Sequence, residues 1–361
     1  MAELSPVVTG LAVRSAFGTG AGALLPPALA GTPAFAPVTR FGTAAYRTNV
    51  AATMPGAPDL TDELVAAVGA ACADATPAAG WAGVPLLLAA HADRRNRTVA
   101  AEVAARTGLG AVPRTYTAAC VAGSTALADA AGQISRGELD RVVVAAGYLV
   151  DPDTFALFDA GRALARDNQA RPFSAGRSGL LLGDGVAAVV LESAAAAAGR
   201  GAPVRARLAG WGRAGDAYHV CQPRPDGAGL ARAIGSALQR AGVLPADVGY
   251  VNANGTGTPF SDAAETAALH TVFGPDASSV PVSSTKSVHG HALEASGLLE
   301  FALTVLALGA GRLPVNAGYL GPDPNCALAV VVEARAATPR YALSLNAAFG
   351  GANTALLVAA P

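Results

Sequence analysis

The segment 114–125, with the sequence RTYTAACVAGST, holds the side chain of this protein best suited to nucleophilic chemistry, the thiol of Cys120. The run 121–137 that follows is rich in alanine and carries Leu127 and Ile134 at helical spacing, which predicts that Cys120 lies at the start of a helix. Unpaired N–H groups at a helix start favour a thiolate over a thiol, and the small neighbouring residues leave room for a thioester. Cys120 is therefore a candidate acyl-accepting nucleophile. Taken alone, the segment also fits a small buried structural cysteine.

The composition describes a compact, weakly charged chain. Its 361 residues are 52% hydrophobic and 14% charged, with a formal net charge of −1. No basic stripe indicates nucleic acid as a partner, and no apolar run of membrane-spanning length is free of glycine, proline or charge. The N-terminus lacks the pattern of a signal peptide. We expect a cytoplasmic protein that binds neither nucleic acid nor a membrane.

The four cysteines are spread along the chain and form no CxxC pair. They are Cys72, Cys120, Cys221 and Cys326. This spacing disfavours a disulfide framework or a metal site and is typical of a protein from a reducing compartment. We expect neither a metal ion nor an organic cofactor.

Apolar runs typical of buried strands alternate with amphipathic runs typical of helices, and the alternation occurs twice. The predicted strands cover 6–13, 84–90, 140–147, 179–192 (two strands around 183–185), 204–211, 248–253, 281–284, 341–345 and 355–359. The predicted helices cover 21–30, 60–73, 98–107, 121–137, 229–241, 261–272 and 296–308. An Ala/Gly run at 194–201 separates the two series, which predicts an N-terminal half over 1–198 and a C-terminal half over 199–361. The alternation predicts an α/β protein with buried sheets.

Five spaced motifs cover nearly the whole chain. They are TAAC at 117–120, an RPF-to-GDG pattern at 171–185, NGTGT at 254–258, SSTKSVHGH at 283–291 and FGGAN at 349–353. Together they resemble the β-ketoacyl-acyl-carrier-protein synthases, the I/II branch of the thiolase-like condensing enzymes. The resemblance implies a thiolase-like fold, in which two pseudo-duplicated α/β halves form a layered α-β-α-β-α sandwich.

The same resemblance implies roles for the residues of the site. Cys120 would carry the acyl chain, and His291 would hold the thioester carbonyl and share in stabilising an enolate. Lys286 and Glu300 would be a supporting pair beneath that histidine. Asn254 occupies the place of the first catalytic histidine of the motif HGTGT. An amide can donate a hydrogen bond to a thioester oxygen but cannot act as a base, so we expect weak decarboxylation and intact acylation.

The resemblance also implies an oxyanion hole and a gate. The backbone N–H groups of Cys120 and Phe349 would form the oxyanion hole, and Gly350 would let that backbone approach closely. The Phe349 side chain would be a gate between acyl pocket and entrance. Thr256 and Thr258 would support the loop that carries Asn254.

The function that the residues and the resemblance favour is a transferase of the β-ketoacyl synthase type. It would form an acyl-Cys120 thioester from acyl carrier protein or acyl-CoA and pass the acyl group to an acceptor in fatty-acid or polyketide biosynthesis. One alternative is a decarboxylative ketosynthase that works with Cys120, Asn254 and His291. The other is a non-catalytic partner subunit like a chain-length factor. The resemblance implies a homodimer or a heterodimer with a related subunit, although the connection over 90–117 is shorter than the family's lid and dimer segment.

Overall fold

The computed structural model describes residues 2–75, 80–92, 98–110 and 112–361. The α-helices are α1 (Ala21–Ala30), α2 (Leu60–Ala75), α3 (Val99–Thr107), α4 (Ala122–Ser135), α5 (Pro152–Ala160), α6 (Ala194–Gly199), α7 (Ala228–Ala241), α8 (Pro259–Phe273), α9 (Lys286–His289) and α10 (Ser296–Ala310). The strands are β1 (Pro6–Ser15), β2 (Gly18–Thr19), β3 (Ala36–Pro37), β4 (Val50–Ala51), β5 (Leu86–Ala90), β6 (Thr115–Tyr116), β7 (Arg141–Tyr148), β8 (Gly185–Ser193), β9 (Ala206–Gly215), β10 (Val248–Asn252), β11 (Pro281–Ser283), β12 (Arg312–Leu313), β13 (Ala329–Val330), β14 (Arg335–Ala336), β15 (Tyr341–Ala348) and β16 (Ala352–Ala359). Short 3-10 turns include Ala119–Val121 and Leu293–Ala295.

The two halves of the chain repeat one topology. In the first half, β1 pairs antiparallel with β8, β8 antiparallel with β7, β7 parallel with β5, and β5 parallel with β6. In the second half, β9, β16, β15, β10 and β11 follow each other in the same order with the same directions. The parallel connections contain helices, as parallel pairing requires. The predicted pseudo-duplication is confirmed.

A short pairing joins the two half-sheets. Val7 and Val8 of β1 pair with Arg207 and Ala206 of β9, so that one continuous sheet runs from β13 to β6. The sequence predicted one sheet for each half, and the structure instead links them edge to edge over these two residue pairs.

The layers follow from where the apolar faces pack. Helices α2 and α3 cover the outer face of the first half-sheet, and α7 and α8 cover the outer face of the second. Helices α4 and α10 pack against each other and against strands of both halves, inside the largest apolar cluster. This is the expected α-β-α-β-α sandwich, and the central helical layer carries the candidate site.

Two predicted segments differ from the structure. The first of the two strands predicted in 179–192 is absent: residues 180 and 182 make only isolated bridges, Leu180 to Leu164 and Leu182 to His291, before β8 begins at Gly185. The run 194–201 contains the short helix α6, whose N-terminus is capped by Ser193. The predicted division at 198/199 falls at the end of that helix, and the assignment of two domains with this boundary stays a prediction.

One apolar stretch among the described residues has the length and composition of a membrane span. It is Leu293–Ala310, which consists of a 3-10 turn and α10, and 83% of it is buried inside the molecule. Because α10 lies in the central layer between the half-sheets, this stretch is a core helix.

Candidate active site

Cys120 lies in a tight turn at the start of α4. The 3-10 turn Ala119–Val121 leads directly into α4, and Ala119 takes a positive φ of 47°. A non-glycine residue in that region is strained, and such strain is concentrated at functional sites. The sequence prediction that Cys120 sits at a helix start is confirmed.

The thiol of Cys120 faces an imidazole from the other half of the chain. The distance from Cys120 Sγ to His291 Nε2 is 3.0 Å, and both residues are buried. His291 is held by backbone bonds to the segment before β8, since its N–H donates to the carbonyl of Leu181 and its carbonyl accepts from Gly183 N. A Cβ on Gly183 would collide with the carbonyl of His289, so glycine there permits this close approach. The two predicted site residues are thus brought together.

Ser296 is the hydrogen-bond partner of His291 Nδ1. Ser296 Oγ lies 2.8 Å from His291 Nδ1 and accepts from Ala292 N at 3.0 Å. In the tautomer that protonates Nδ1, His291 donates to Ser296 Oγ. Nε2 is then a lone-pair acceptor facing the thiol.

Both members of the Cys120–His291 pair are neutral at rest. Burial raises the pKa of the Cys120 thiol to about 12, and the negative charge of Glu294 adds to the rise. Burial and the charge of Lys286 hold the pKa of His291 well below its ordinary value. The expectation that the helix start favours a thiolate is therefore wrong for the free protein: desolvation outweighs the helix N-terminus. The proton must leave the sulfur as the sulfur attacks, and His291 Nε2 is placed to accept it.

Lys286 anchors the loop of Asn254 to α10. Its Nζ lies 2.7 Å from Glu300 Oε1 and donates to the Asn254 carbonyl at 2.7 Å. It also lies 3.3 Å from Asn254 Oδ1. An ammonium only donates, so the amide oxygen of Asn254 faces the lysine and the NH₂ group points away from it. The supporting pair implied by the resemblance is present and buried.

The loop 254–258 is fixed by carboxylates of α8. Glu265 accepts from the N–H groups of Asn254 and Gly255 at 2.8 and 2.7 Å. Burial raises the pKa of Glu265 to about 7. Thr256 and Thr258 hydrogen-bond each other through their hydroxyls at 2.8 Å, so these predicted supporting residues bind the loop to itself.

Two glycines let the central helices approach at their N-termini. A Cβ on Gly297 of α10 would lie 2.8 Å from Ser124 Cβ of α4, and a Cβ on Gly123 would lie 2.9 Å from the Glu294 carbonyl. Close helix contact at this point aligns the cysteine turn with the histidine segment. Neither glycine was singled out from the sequence.

Phe349 occupies the turn between β15 and β16. β15, which ends at Ala348 directly before Phe349, packs against the cysteine turn. The Phe349 ring is half exposed and stacks on Phe158 with a centroid distance of 5.7 Å. Gly350 has a φ of 85° and open space at its Cβ position, so glycine serves the turn conformation rather than a close approach. The predicted oxyanion-hole and gate roles remain predictions.

Several functional contacts were not identified from the sequence. Ser296 orients His291, and Asn346 Nδ2 donates to Glu300 Oε2 at 2.7 Å. Ser296 follows His291 by five residues at a helix start, a spacing that could have indicated it. His289 is buried in α9, and its Nε2 lies 3.1 Å from Thr285 Oγ1; burial lowers its pKa to about 3.

Comparison with known sequences gives related synthases. A family model described as "Beta-ketoacyl synthase, N-terminal domain" matches residues 85–197, and one described as "Beta-ketoacyl synthase, C-terminal domain" matches residues 205–319. The 3-oxoacyl-acyl-carrier-protein synthase 2 of Staphylococcus aureus is 38% identical over 247 residues, 66% of this chain and 61% of that protein. A Streptomyces cyaneus protein provisionally named polyketide beta-ketoacyl synthase 1 is 39% identical over 273 residues, 73% of this chain and 64% of that protein. The matches thus span about 60% of the length of these relatives.

Structural comparison extends the likeness to the whole chain. The solved ishigamide ketosynthase/chain length factor has a TM-score of 0.92 and 28% identity, covering 99% of each chain. The two family models together match more than half of the residues, and one relative is 39% identical. Both findings agree with the geometry of the site. The chain belongs to the β-ketoacyl synthase family and has the thiolase-like fold.

Proposed function

We propose that this protein is an acyltransferase that accepts an acyl group on Cys120 and passes it to an acceptor. The observation that carries the proposal is the buried 3.0 Å contact between Cys120 Sγ and His291 Nε2. His291 also contacts Ser296 at the start of α10. The same helix carries Glu300, which forms a buried ion pair with Lys286. A purely structural cysteine needs no such polar partners. The family membership agrees with this chemistry.

In the first half-reaction the thiol attacks the carbonyl of an incoming thioester. The thiol proton passes to His291 Nε2, and the oxyanion is met by the backbone N–H groups of Cys120 and Phe349. Collapse of the tetrahedral species expels the carrier thiol, which takes the proton from His291. The acyl group is then held on Cys120.

The names of two relatives support a proposal for the acyl donor and for the partner subunit. The Staphylococcus relative is named as a synthase acting on acyl carrier protein, and the ishigamide relative as a ketosynthase with a chain length factor. We propose acyl carrier protein as donor, with acyl-CoA as the simpler substitute, in fatty-acid or polyketide biosynthesis. The four unpaired cysteines suit the reducing cytoplasm.

Mass spectrometry of the intact protein tests the proposal. After mixing with acyl-CoA and acyl-carrier thioesters of several chain lengths, the protein gains the mass of one acyl group, and Cys120→Ala abolishes the gain. Absence of any adduct on Cys120 with every donor would favour the partner-subunit alternative. Rapid CO₂ release from malonyl carrier would favour the decarboxylative ketosynthase.

A further inference from the structure

The turn that packs against the cysteine turn carries a second buried carboxylate, Glu294. Glu294 belongs to the 3-10 turn Leu293–Ala295, which packs against the cysteine turn. The Glu294 side chain is 4% exposed, and its backbone carbonyl faces Gly123 in the first turn of α4. Its charge acts on Cys120, where, after burial, it is the next contributor to the raised pKa of the thiol. Glu294 thus lies in the turn next to Cys120, and its charge is close enough to act on the thiol.

One oxygen of this carboxylate has a partner and the other does not. Glu294 Oε1 lies 2.9 Å from His91 Nδ1. Oε2 is buried and has no hydrogen-bond partner in the described part of the chain. Buried carboxylate oxygens are normally satisfied, so an open one is suited to accept a proton or a hydrogen bond from a bound molecule.

His91 connects this carboxylate to solvent. It follows β5 directly, and its side chain is 40% exposed. It lines a cleft of about 280 Å³ together with Tyr148 and Thr61. The Cys120–His291–Lys286 group is buried, in contrast, so His91 offers a route by which a proton can leave the site. Imidazole is the side chain suited to such exchange near neutral pH.

We propose that Glu294 is the general base for the acceptor in the second half-reaction, and that His91 is the positioning residue that orients it. The inference rests on the proposed acyl transfer. The acceptor is a protic nucleophile H–X, in which X is oxygen, nitrogen or sulfur. Asn254 cannot accept a proton, and His291 Nε2 is the partner of the Cys120 sulfur. The base that takes the proton of H–X is therefore Glu294 Oε2.

The step balances without an oxidant or reductant. A bond forms between X and the acyl carbon, and the bond between that carbon and Cys120 Sγ breaks. The proton of H–X passes to Glu294 Oε2 and leaves to solvent through His91. One proton that enters from solvent by the same route, through His91 and Glu294, restores the thiol. The net change is transfer of the acyl group from sulfur to X.

The experiment separates the two half-reactions. Wild type, Glu294→Gln and the matched control Glu333→Gln, which changes an exposed glutamate, are acylated with acyl-CoA. Each acyl-enzyme is then mixed with N-acetylcysteamine, ethanolamine, glycerol or buffer alone, and loss of the acyl mass is timed. Glu294→Gln should still acquire the acyl group, because His291 takes the thiol proton, but should transfer it about 10²- to 10⁴-fold more slowly. Glu333→Gln should match wild type in both phases.

Substitutions of His91 test its positioning role. His91→Asn keeps a donor for Glu294 and should retain most of the transfer rate, whereas His91→Ala should lose about tenfold or more. Melting temperatures show whether each variant folds.

Each contrary outcome has a defined meaning. Equal transfer by folded Glu294→Gln and wild type overturns the inference and leaves the proposed function standing. Two other results also overturn the inference and leave the proposed function standing. One is loss of acylation in folded Glu294→Gln. The other is a wild-type acyl-enzyme that loses its acyl group at the same rate with every probe and with buffer. Absence of acylation in wild type overturns the proposed function, and the inference falls with it.

Discussion

Asn254 is the residue that sets this site apart from the motif it resembles. Its oxygen is turned to Lys286 and its backbone is held by Glu265, so the side chain is a fixed amide rather than a mobile one. An amide offers a neutral donor where the motif has an imidazole. We therefore expect Asn254 to hydrogen-bond a thioester oxygen and not to supply a group that becomes charged as an enolate forms.

Replacing Asn254 by histidine should raise decarboxylation of malonyl carrier. One oxyanion donor contributes on the order of 2–4 kcal/mol. We therefore expect CO₂ release to increase by roughly one to three orders of magnitude, with little change in acylation of Cys120. Release of ¹⁴CO₂ from labelled malonyl carrier measures the first quantity, and intact mass measures the second. A rate in Asn254→His no higher than in wild type would contradict the assignment of this position.

The raised pKa of Cys120 gives a pH dependence for alkylation of the free protein. The thiolate is the reactive form, and burial places the pKa of Cys120 at about 12. Its iodoacetamide rate should thus keep rising by about tenfold per pH unit from pH 8 to pH 10. A model cysteine peptide levels off above its pKa of about 8.5. Peptide mapping after timed quenching follows Cys120 separately from the exposed Cys221. A plateau for Cys120 near pH 8 would show that the resting residue is a thiolate.

At the scale of elements, the spacing of apolar residues along the sequence was sufficient to predict most of the helices and strands. The helix over 229–241 and the hairpin of β15 and β16 were predicted because each buries a regular apolar face. The first strand predicted in 179–192 is wrong, because Leu180 and Leu182 make isolated bridges to Leu164 and His291 and form no ladder. The motifs identify Cys120 and His291 in the sequence. Local sequence does not show how far a side chain is removed from water, so the protonation states of the pair could be inferred only from the fold.

The contact between α4 and α10 should be intolerant of added volume. Gly297→Ala would place a Cβ 2.8 Å from Ser124 Cβ and separate the two helix starts. Overpacking of this kind reduces the free energy of unfolding by about 1–3 kcal/mol, and it should also slow acylation because Cys120 moves from His291.

Gly235→Ala in α7 is the matched control for that substitution. A Cβ there meets nothing within 4 Å, so this change should leave stability equal or raise it by up to about 1 kcal/mol. Denaturant unfolding and the acylation rate test both variants. Equal behaviour of the two would show that the helix contact is not tight.

At the scale of the whole molecule, the sheet ends at β6, beside the nucleophile. Thr115 in this two-residue strand is exposed, and a cleft of about 650 Å³ next to it is lined by Arg114, Arg213 and Trp211. An open sheet edge is a template for pairing with another chain. We expect this edge to lie in the dimer interface.

Sedimentation at micromolar concentration should give a dimer, either of this chain alone or after mixing with a related subunit. Thr115→Lys places a charge on the edge and should shift the equilibrium towards monomer. The control Thr271→Lys, on an exposed position of α8, should leave it unchanged. A clean wild-type monomer, alone and with the partner, would exclude this assembly.

The origin of Cys120 and His291 in different halves has a consequence for biosynthesis. The two residues are 171 positions apart, and the half-sheets that carry them join over only two residue pairs. At about 5–20 residues per second, a ribosome makes His291 roughly 10 to 35 seconds after Cys120. Until then the nascent chain carries the thiol without the imidazole that faces it in the folded protein, so the Cys120–His291 pair can form only after most of the second half has been made.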